Sequence, residues 1–279
     1  MIEHFGLSKW DIQNIEKWNE RNKKLKIKEI LPLSYSQLTD FAFNRPRWAL
    51  RRVFGYQFPT SAAAERGSAV ETGIKLLFNR HKKSDAVEAM YRDFDANLKN
   101  VKDDYISWER NNLERLLNES WNYLKDKNLK VLDYQRKVET QILDIPIIGY
   151  TDFHFEDKET KEDYYLDLKT SKRKPSDINL SHAMQQSIYL KATNARQELL
   201  YAIIYANEIK MLPLTIKDTK TPLRIAEQII KAMSNFLCNN KTEDDVRNSL
   251  VPDIEHWTWN YPKGNDGSLI KARKEVWGF

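Results

Sequence analysis

A chain of 279 residues that is 41% hydrophobic and 30% charged can build one large buried core and lacks the bias of a fibrous or disordered protein. Its formal charge of +5 is too small to establish a polyanionic partner, so that case depends on where the basic residues cluster. Cys238 is the only cysteine, which excludes an intrachain disulfide and any zinc or iron-sulfur centre held by several thiolates, and no apolar run reaches membrane-spanning length. The start, Met1 to Gly6, carries no signal or transit pattern, so a cytoplasmic protein with no membrane partner is expected.

In chain order, apolar residues recur at helical spacing over 36–50, 62–77, 85–99 and 105–127, the last with Leu113, Leu116, Leu117, Trp121 and Leu124 on one face. Ser34 or Ser36 is a candidate cap for the first of these helices. The period changes near Leu132. Stretches 138–143, 147–156 and 164–170 are rich in β-branched and aromatic residues and are separated by short polar turns, which predicts a three-strand meander. A helix over 181–193, strands over 199–205 and 209–216, and a helix opened by Pro222 follow. The prediction is an α/β (α+β) domain spanning 1–279, with a mainly helical part to 131, a sheet core over 132–216, and a C-terminal helix with an aromatic-rich tail over 217–279.

Four short segments lie across these elements: Gly67-Ser68-Ala69-Val70-Glu71, Gly149-Tyr150-Thr151-Asp152, Asp167-Leu168-Lys169-Thr170 and Gln185-Gln186-Ser187-Ile188-Tyr189. Residues two apart share a strand face, so alternation groups Tyr150, Asp152 and His154, and likewise Tyr165, Asp167 and Lys169 on the neighbouring strand. Gly67 and Glu71 lie one helical turn apart, so a helix approaching at the glycine would present Glu71 to the same hollow. Three carboxylates, Glu71, Asp152 and Asp167, with the carbonyl of Leu168, form a hard-oxygen set suited to one or two Mg²⁺ ions. Lys169 is suited to orienting water or stabilising phosphorane charge. Asp218-Thr219-Lys220-Thr221 repeats the Asp-x-Lys pattern without the flanking motifs and reads as a solvated turn.

The order of the four segments resembles the RecB-like and lambda-exonuclease-like branch of the PD-(D/E)XK nuclease superfamily, and the resemblance extends over roughly 33–205. It implies a mixed central sheet flanked by helices and Mg²⁺- or Mn²⁺-dependent hydrolysis of DNA. It also implies a catalytic core of Asp152, Asp167 and Lys169 with Glu71 as first-motif ligand, and Gln185 and Tyr189 lining the DNA path. Glu71 stands where the RecB type has histidine, which favours the phage-like form, and the cluster cysteines of some relatives are absent, so no iron-sulfur cluster is expected. The expected activity is that of an exonuclease at DNA ends, in recombination, repair or degradation in a bacterium or phage-infected cell. A structure-specific endonuclease and a non-catalytic DNA-binding subunit are the alternatives. DNA with a free end is the expected partner, and a homo-oligomer or an accessory recombination protein would fit by analogy alone.

For DNA contacts, Thr170 and Ser171 lead into Lys172, Arg173 and Lys174 directly after the catalytic strand. Arg45 and Arg47, with Arg51, Arg52 and Trp48, form a second basic cluster beside Ser36, for which a salt-bridged helix face is an equal reading. Lys23, Lys24, Lys26 and Lys28 read as a solvated face. Trp257, Trp259, Tyr261 and Trp277 read as core or interface aromatics in preference to base-stacking platforms. No P-loop, Gly-x-Ser-x-Gly elbow or reactive Cys-His pair is present, and the histidines lack ligand spacing.

Overall fold

The computed structural model describes residues 9–256, 259 and 267–279, with side chains from Ile12 onward. Helices α1 (Lys9–Leu25), α2 (Tyr35–Phe43), α3 (Arg45–Arg52), α4 (Ala62–Phe78), α5 (Lys83–Leu98) and α6 (Ile106–Lys125) precede the sheet. Strands β1 (Leu129–Ile142), β2 (Ile145–Asp157) and β3 (Asp163–Ser171) are followed by α7 (Leu180–Thr193), β4 (Arg196–Ile204), β5 (Ile209–Leu214), α8 (Lys220–Asn239), α9 (Glu243–Ser249) and α10 (Ser268–Trp277).

The expected helix over 36–50 is two helices. Ser34 caps the first by accepting the Gln37 N–H. Asn44 ends it and caps the second by accepting the Arg47 N–H at 3.0 Å, with Pro46 in the opening turn. An asparagine side chain that competes for backbone donors thus breaks a run whose apolar period continues. The first strand begins at Leu129, nine residues before the alternation predicted, and α1, α9 and α10 had no predicted counterpart. Asp218 caps the start of α8 by accepting the Lys220 and Thr221 N–H groups, as a turn residue would.

The five strands lie in the order β1-β2-β3-β4-β5, antiparallel except for β3 and β4, which are parallel because α7 carries the chain across. One core cluster fills the space between α1, α2, α3, α7 and α8 and the tip of the β1-β2 hairpin, through Val138, Ile142, Ile145 and Ile147. The other lies under α4, α5 and α6 and takes Phe153, Phe155, Leu166, Leu168 and Leu200. Odd-numbered residues of β2 therefore face one layer before Asp152 and the other after it.

The backbone shows how that crossing is made. Ladder pairs between β1 and β2 run on either side of Gln135 and Asp152 but omit them, and Gln135 has φ +50°, a sparsely populated conformation for a side chain with a Cβ. Pairing of β2 with β3 covers Phe153↔Leu166 to Glu156↔Asp163 and stops there. The two strands fork at Asp152, and simple alternation does not describe that residue.

Candidate active site

At the fork the Asp152 carboxylate takes the place of a ladder partner: its Oδ2 accepts the Leu168 N–H at 2.9 Å. One residue back on β3, Asp167 is 3% exposed, with Oδ1 accepting from Gln185 Nε2 at 2.9 Å and Oδ2 lying 2.6 Å from the Lys169 ammonium. That buried ion pair gives Asp167 Oδ2 the Lys169 ammonium as its partner. Glu71, from α4, accepts from Gln135 Nε2 at 3.1 Å. Gln135 thus contributes both the backbone break in β1 and a hold on the third carboxylate.

The charges act on one another. Burial, reinforced by Asp167 and Glu71, pushes the Asp152 carboxyl well above the ordinary carboxylate range. Glu71 rises to about 7, first through burial and then through Asp167, against the pull of Lys169. Burial alone would lower Lys169, but Asp167 and Asp152 outweigh it and hold the ammonium charged. A group of carboxylates that strains against its own charge favours a cation.

The donor chemistry suits a small divalent ion, since the hard oxygens of Glu71, Asp152 and Asp167 act on one another as like charges. Among the described residues no group of three or more His, Cys, Asp or Glu side chains is placed so as to hold a metal ion. An ion here would draw its remaining ligands from water and phosphate oxygens.

The layer containing α7 holds the fork with neutral groups. Tyr189 Oη donates to the Tyr150 carbonyl at 3.0 Å and accepts the Tyr150 N–H at 3.2 Å, while Gln185 Nε2 reaches the same hydroxyl at 3.3 Å. The Tyr189 ring lies against Gly149, where an added Cβ would sit 2.2 Å from Cε1, so the glycine of the second motif is a steric requirement. Tyr35 packs edge-on to Tyr189 with centroids 6.5 Å apart. Gly67 imposes no comparable requirement, since an added Cβ would meet Thr170 Oγ1 at an ordinary 3.7 Å; the close approach on α4 is at Gly73, 2.8 Å from Leu117 Cδ1.

The layer containing α4 holds the fork with charge. Arg66, 3% exposed, donates from Nε to Thr170 Oγ1 at 3.0 Å and from Nη2 to the Thr170 carbonyl at 3.1 Å. Its Nη1 pairs with Glu109 of α6, which also takes Lys172 Nζ at 2.9 Å. Lys172 lies over the rings of Tyr105 and Trp108, 4.6 and 3.9 Å from their centroids.

Several residues expected to contact DNA are therefore engaged within the protein. Gln185 and Tyr189, both 3% exposed, position Asp167 and Tyr150 and do not line an open surface. Thr170 anchors Arg66, and Ser171 closes a turn by donating to the Arg173 carbonyl at 2.8 Å. Lys172 pairs with Glu109, which it shares with Arg66. Arg45 lies over Phe41 and Phe236, and Arg47 pairs with Asp40. Arg173, Lys174 and Ser36 are exposed. Trp259 is buried with Leu50 and Leu269, and Trp277 donates to the Arg247 carbonyl at 3.2 Å, whereas Trp257 and Tyr261 lie outside the described residues.

Tyr35, Gln135 and Arg66 join the site without having been singled out from the sequence, and so does His182, which the sequence excludes with the other histidines for want of ligand spacing. His182 Nδ1 is 2.5 Å from Tyr201 Oη, and burial, followed by the charge of Lys169, lowers its pKa to about 4, which keeps the ring neutral. Its place in the first turn of α7, three residues before Gln185, was the one signal available.

The fold resembles two solved structures. A protein from Eubacterium rectale provisionally named an exonuclease is 12% identical, with a TM-score of 0.50, over 89% of this chain and 90% of that one. The protein SSO0001 is 17% identical, with a TM-score of 0.36, over 81% and 87%. A search of curated proteins gave no match. The family profile of the PD-(D/E)XK nuclease superfamily matches residues 32–258, the stretch that contains the forked strands, all three carboxylates and Lys169. With that match over most of its length, and with an acidic and basic pair at the strand fork, this chain belongs to the PD-(D/E)XK nuclease superfamily, whose members generally use divalent metal ions.

Proposed function

We propose that the protein is a Mg²⁺- or Mn²⁺-dependent deoxyribonuclease of the lambda-like branch that hydrolyses phosphodiesters at DNA ends. The observation that carries this reading is the fork, where Asp152 holds the Leu168 N–H while Asp167 and Lys169 stand beside it. Asp152, Asp167, Glu71 and the Leu168 carbonyl are the proposed ligands for one or two ions. A divalent cation bound there supplies positive charge to the phosphate oxygens and makes a nearby water more acidic. Lys169 keeps its proton and offers ammonium hydrogens to the attacking water or to the charge that develops on the phosphorus oxygens. Gln185 keeps the Asp167 carboxylate oriented by its hydrogen bond to Oδ1. The exonuclease name of the Eubacterium rectale protein, together with Glu71 in the first motif, supports the end-directed mode.

The test incubates labelled linear and circular DNA, single- and double-stranded, with Mg²⁺, Mn²⁺ or EDTA, beside an Asp167→Asn control. Metal-dependent loss of linear DNA only, reduced about a thousandfold by the substitution, is expected. Cutting of circles would replace the end-directed reading with an endonuclease. Absence of cleavage in every condition would leave a DNA-binding subunit.

A further inference from the structure

A cavity of about 950 Å³ opens beside the site, and Tyr35 and His182, both within the field of the Asp167–Lys169 pair, belong to its wall. Lys23, Lys26, Lys28, Arg51 and Arg52 also line it, with the acids Glu29 and Asp40. Lys26 and Lys28, exposed at the end of α1, have no carboxylate partner among the described residues, and Arg52 donates to the Glu29 carbonyl without an acid of its own. The nearby acids are already engaged, Glu29 with Lys23 and Asp40 with Arg47 and Arg51. Lys28 is shifted down first by the charge of Arg52, then by burial and Arg51, the mark of neighbouring cations that repel one another. Two half-buried rings, Tyr56 and Phe58, also line the cavity, parallel within 7° and with centroids 6.5 Å apart. Arg51 and Phe58 also border a second cavity of about 650 Å³ that reaches Thr170 and Ser171, immediately after Lys169 on β3.

Cations beside half-buried aromatic rings recognise phosphates together with unpaired bases, because a base stacks on a ring only when it is out of a duplex. We propose that this cavity is a binding track for single-stranded DNA, in which Lys26, Lys28 and Arg52 hold backbone phosphates and Tyr56 and Phe58 carry bases toward the Asp167–Lys169 pair. The track deepens the nuclease reading by naming the form of its substrate, and it rests on that reading for what happens at the catalytic end. Lys26 and Lys28 then act as phosphate ligands contributed by a chain segment remote from the catalytic motifs.

Binding of labelled oligo(dT) and of a labelled hairpin duplex to the full chain, followed by fluorescence anisotropy in EDTA over a range of salt, tests the track. Lys26→Ala/Lys28→Ala is expected to weaken oligo(dT) binding about tenfold and to make the slope of log K against log salt shallower by about 1.4, two single-strand phosphate contacts of about 0.7 each. Phe58→Ala is expected to weaken oligo(dT) binding about fivefold or more with little change in that slope. Lys99→Ala/Lys102→Ala, which removes two exposed lysines elsewhere, should leave both unchanged, and melting curves report whether each variant is folded. Wild-type oligo(dT) affinity in Lys26→Ala/Lys28→Ala overturns the proposal, as does an equal loss for oligo(dT) and duplex. Cleavage in Mg²⁺ is read separately. If the wild type cuts DNA while the lysine pair proves irrelevant, the track fails and the nuclease stands; if single-strand binding follows the lysines but no DNA is cut, the nuclease fails and the track stands.

Discussion

The two helical layers hold the same pair of strands in different ways. Under α4–α6 the anchor is ionic and buried: Arg66 grips Thr170 while Glu109 gathers both Arg66 and Lys172. Under α7 the anchor is neutral and steric, with the Tyr189 hydroxyl bound to the Tyr150 backbone and its ring laid against Gly149. An ionic anchor is specific but fails badly when one member is removed, since the remaining charges stay buried without a partner. A neutral anchor loses one modest bond at a time. The candidate catalytic groups lie between the two, so either anchor can be perturbed without touching Glu71, Asp152 or Asp167.

That contrast sets the order of expected effects. Glu109→Ala should be the most severe, destabilising by about 3–5 kcal/mol in denaturant titration because Arg66 is left charged and buried. A loss below about 1 kcal/mol would show that the ionic anchor is dispensable. Gly149→Ala should cost about 1–3 kcal/mol by forcing the Tyr189 ring from β2, and it should lower DNA cleavage more than Glu109→Ala does at matched folded fraction.

The third effect depends on pH and metal. Glu71 has its pKa raised from 4.5 to about 7, so the fold favours its protonated form. The stability this contributes is complete below about pH 4.5 and is lost as the pH rises through about 7. The metal-free protein should therefore melt a few degrees lower at pH 8 than at pH 6. Mg²⁺ bound at the proposed site would displace that proton, so the rise in melting temperature on adding it should grow over the same interval. Glu71→Gln should flatten the metal-free profile, and an unchanged slope would remove Glu71 as its source. The smallest effect belongs to Tyr189→Phe, about 0.5–1.5 kcal/mol for the lost hydroxyl bonds, since the ring still packs on Gly149.

Charge clusters show where local reading stops. Lys172 and Lys28 are equally basic in a list of residues, and position after the catalytic strand made Lys172 the better candidate for phosphate. Lys172 meets Glu109, which lies 63 residues earlier on α6, whereas Lys28 has no carboxylate partner among the described residues and feels the charges of Arg52 and Arg51. Compensation by a distant carboxylate leaves no trace in the spacing around a lysine. Burial had the same effect on Gln185 and Tyr189: their four-residue spacing put them on one helix face, but only packing against β2 and β3 made that face internal.

Periodicity alone determined the succession of elements from α4 to β5, because burial of one face imposes a period of 3.6 or 2 on neighbouring residues. The motif order likewise determined that Asp152, Asp167 and Lys169 would meet, since adjacent strands bring residues of fixed offset together. Only the tertiary structure decided how they meet. The left-handed turn at Gln135, the fork at Asp152 and the anchors from Arg66 and Tyr189 each join residues far apart in the chain, and contacts of that kind depend on the packing of whole layers.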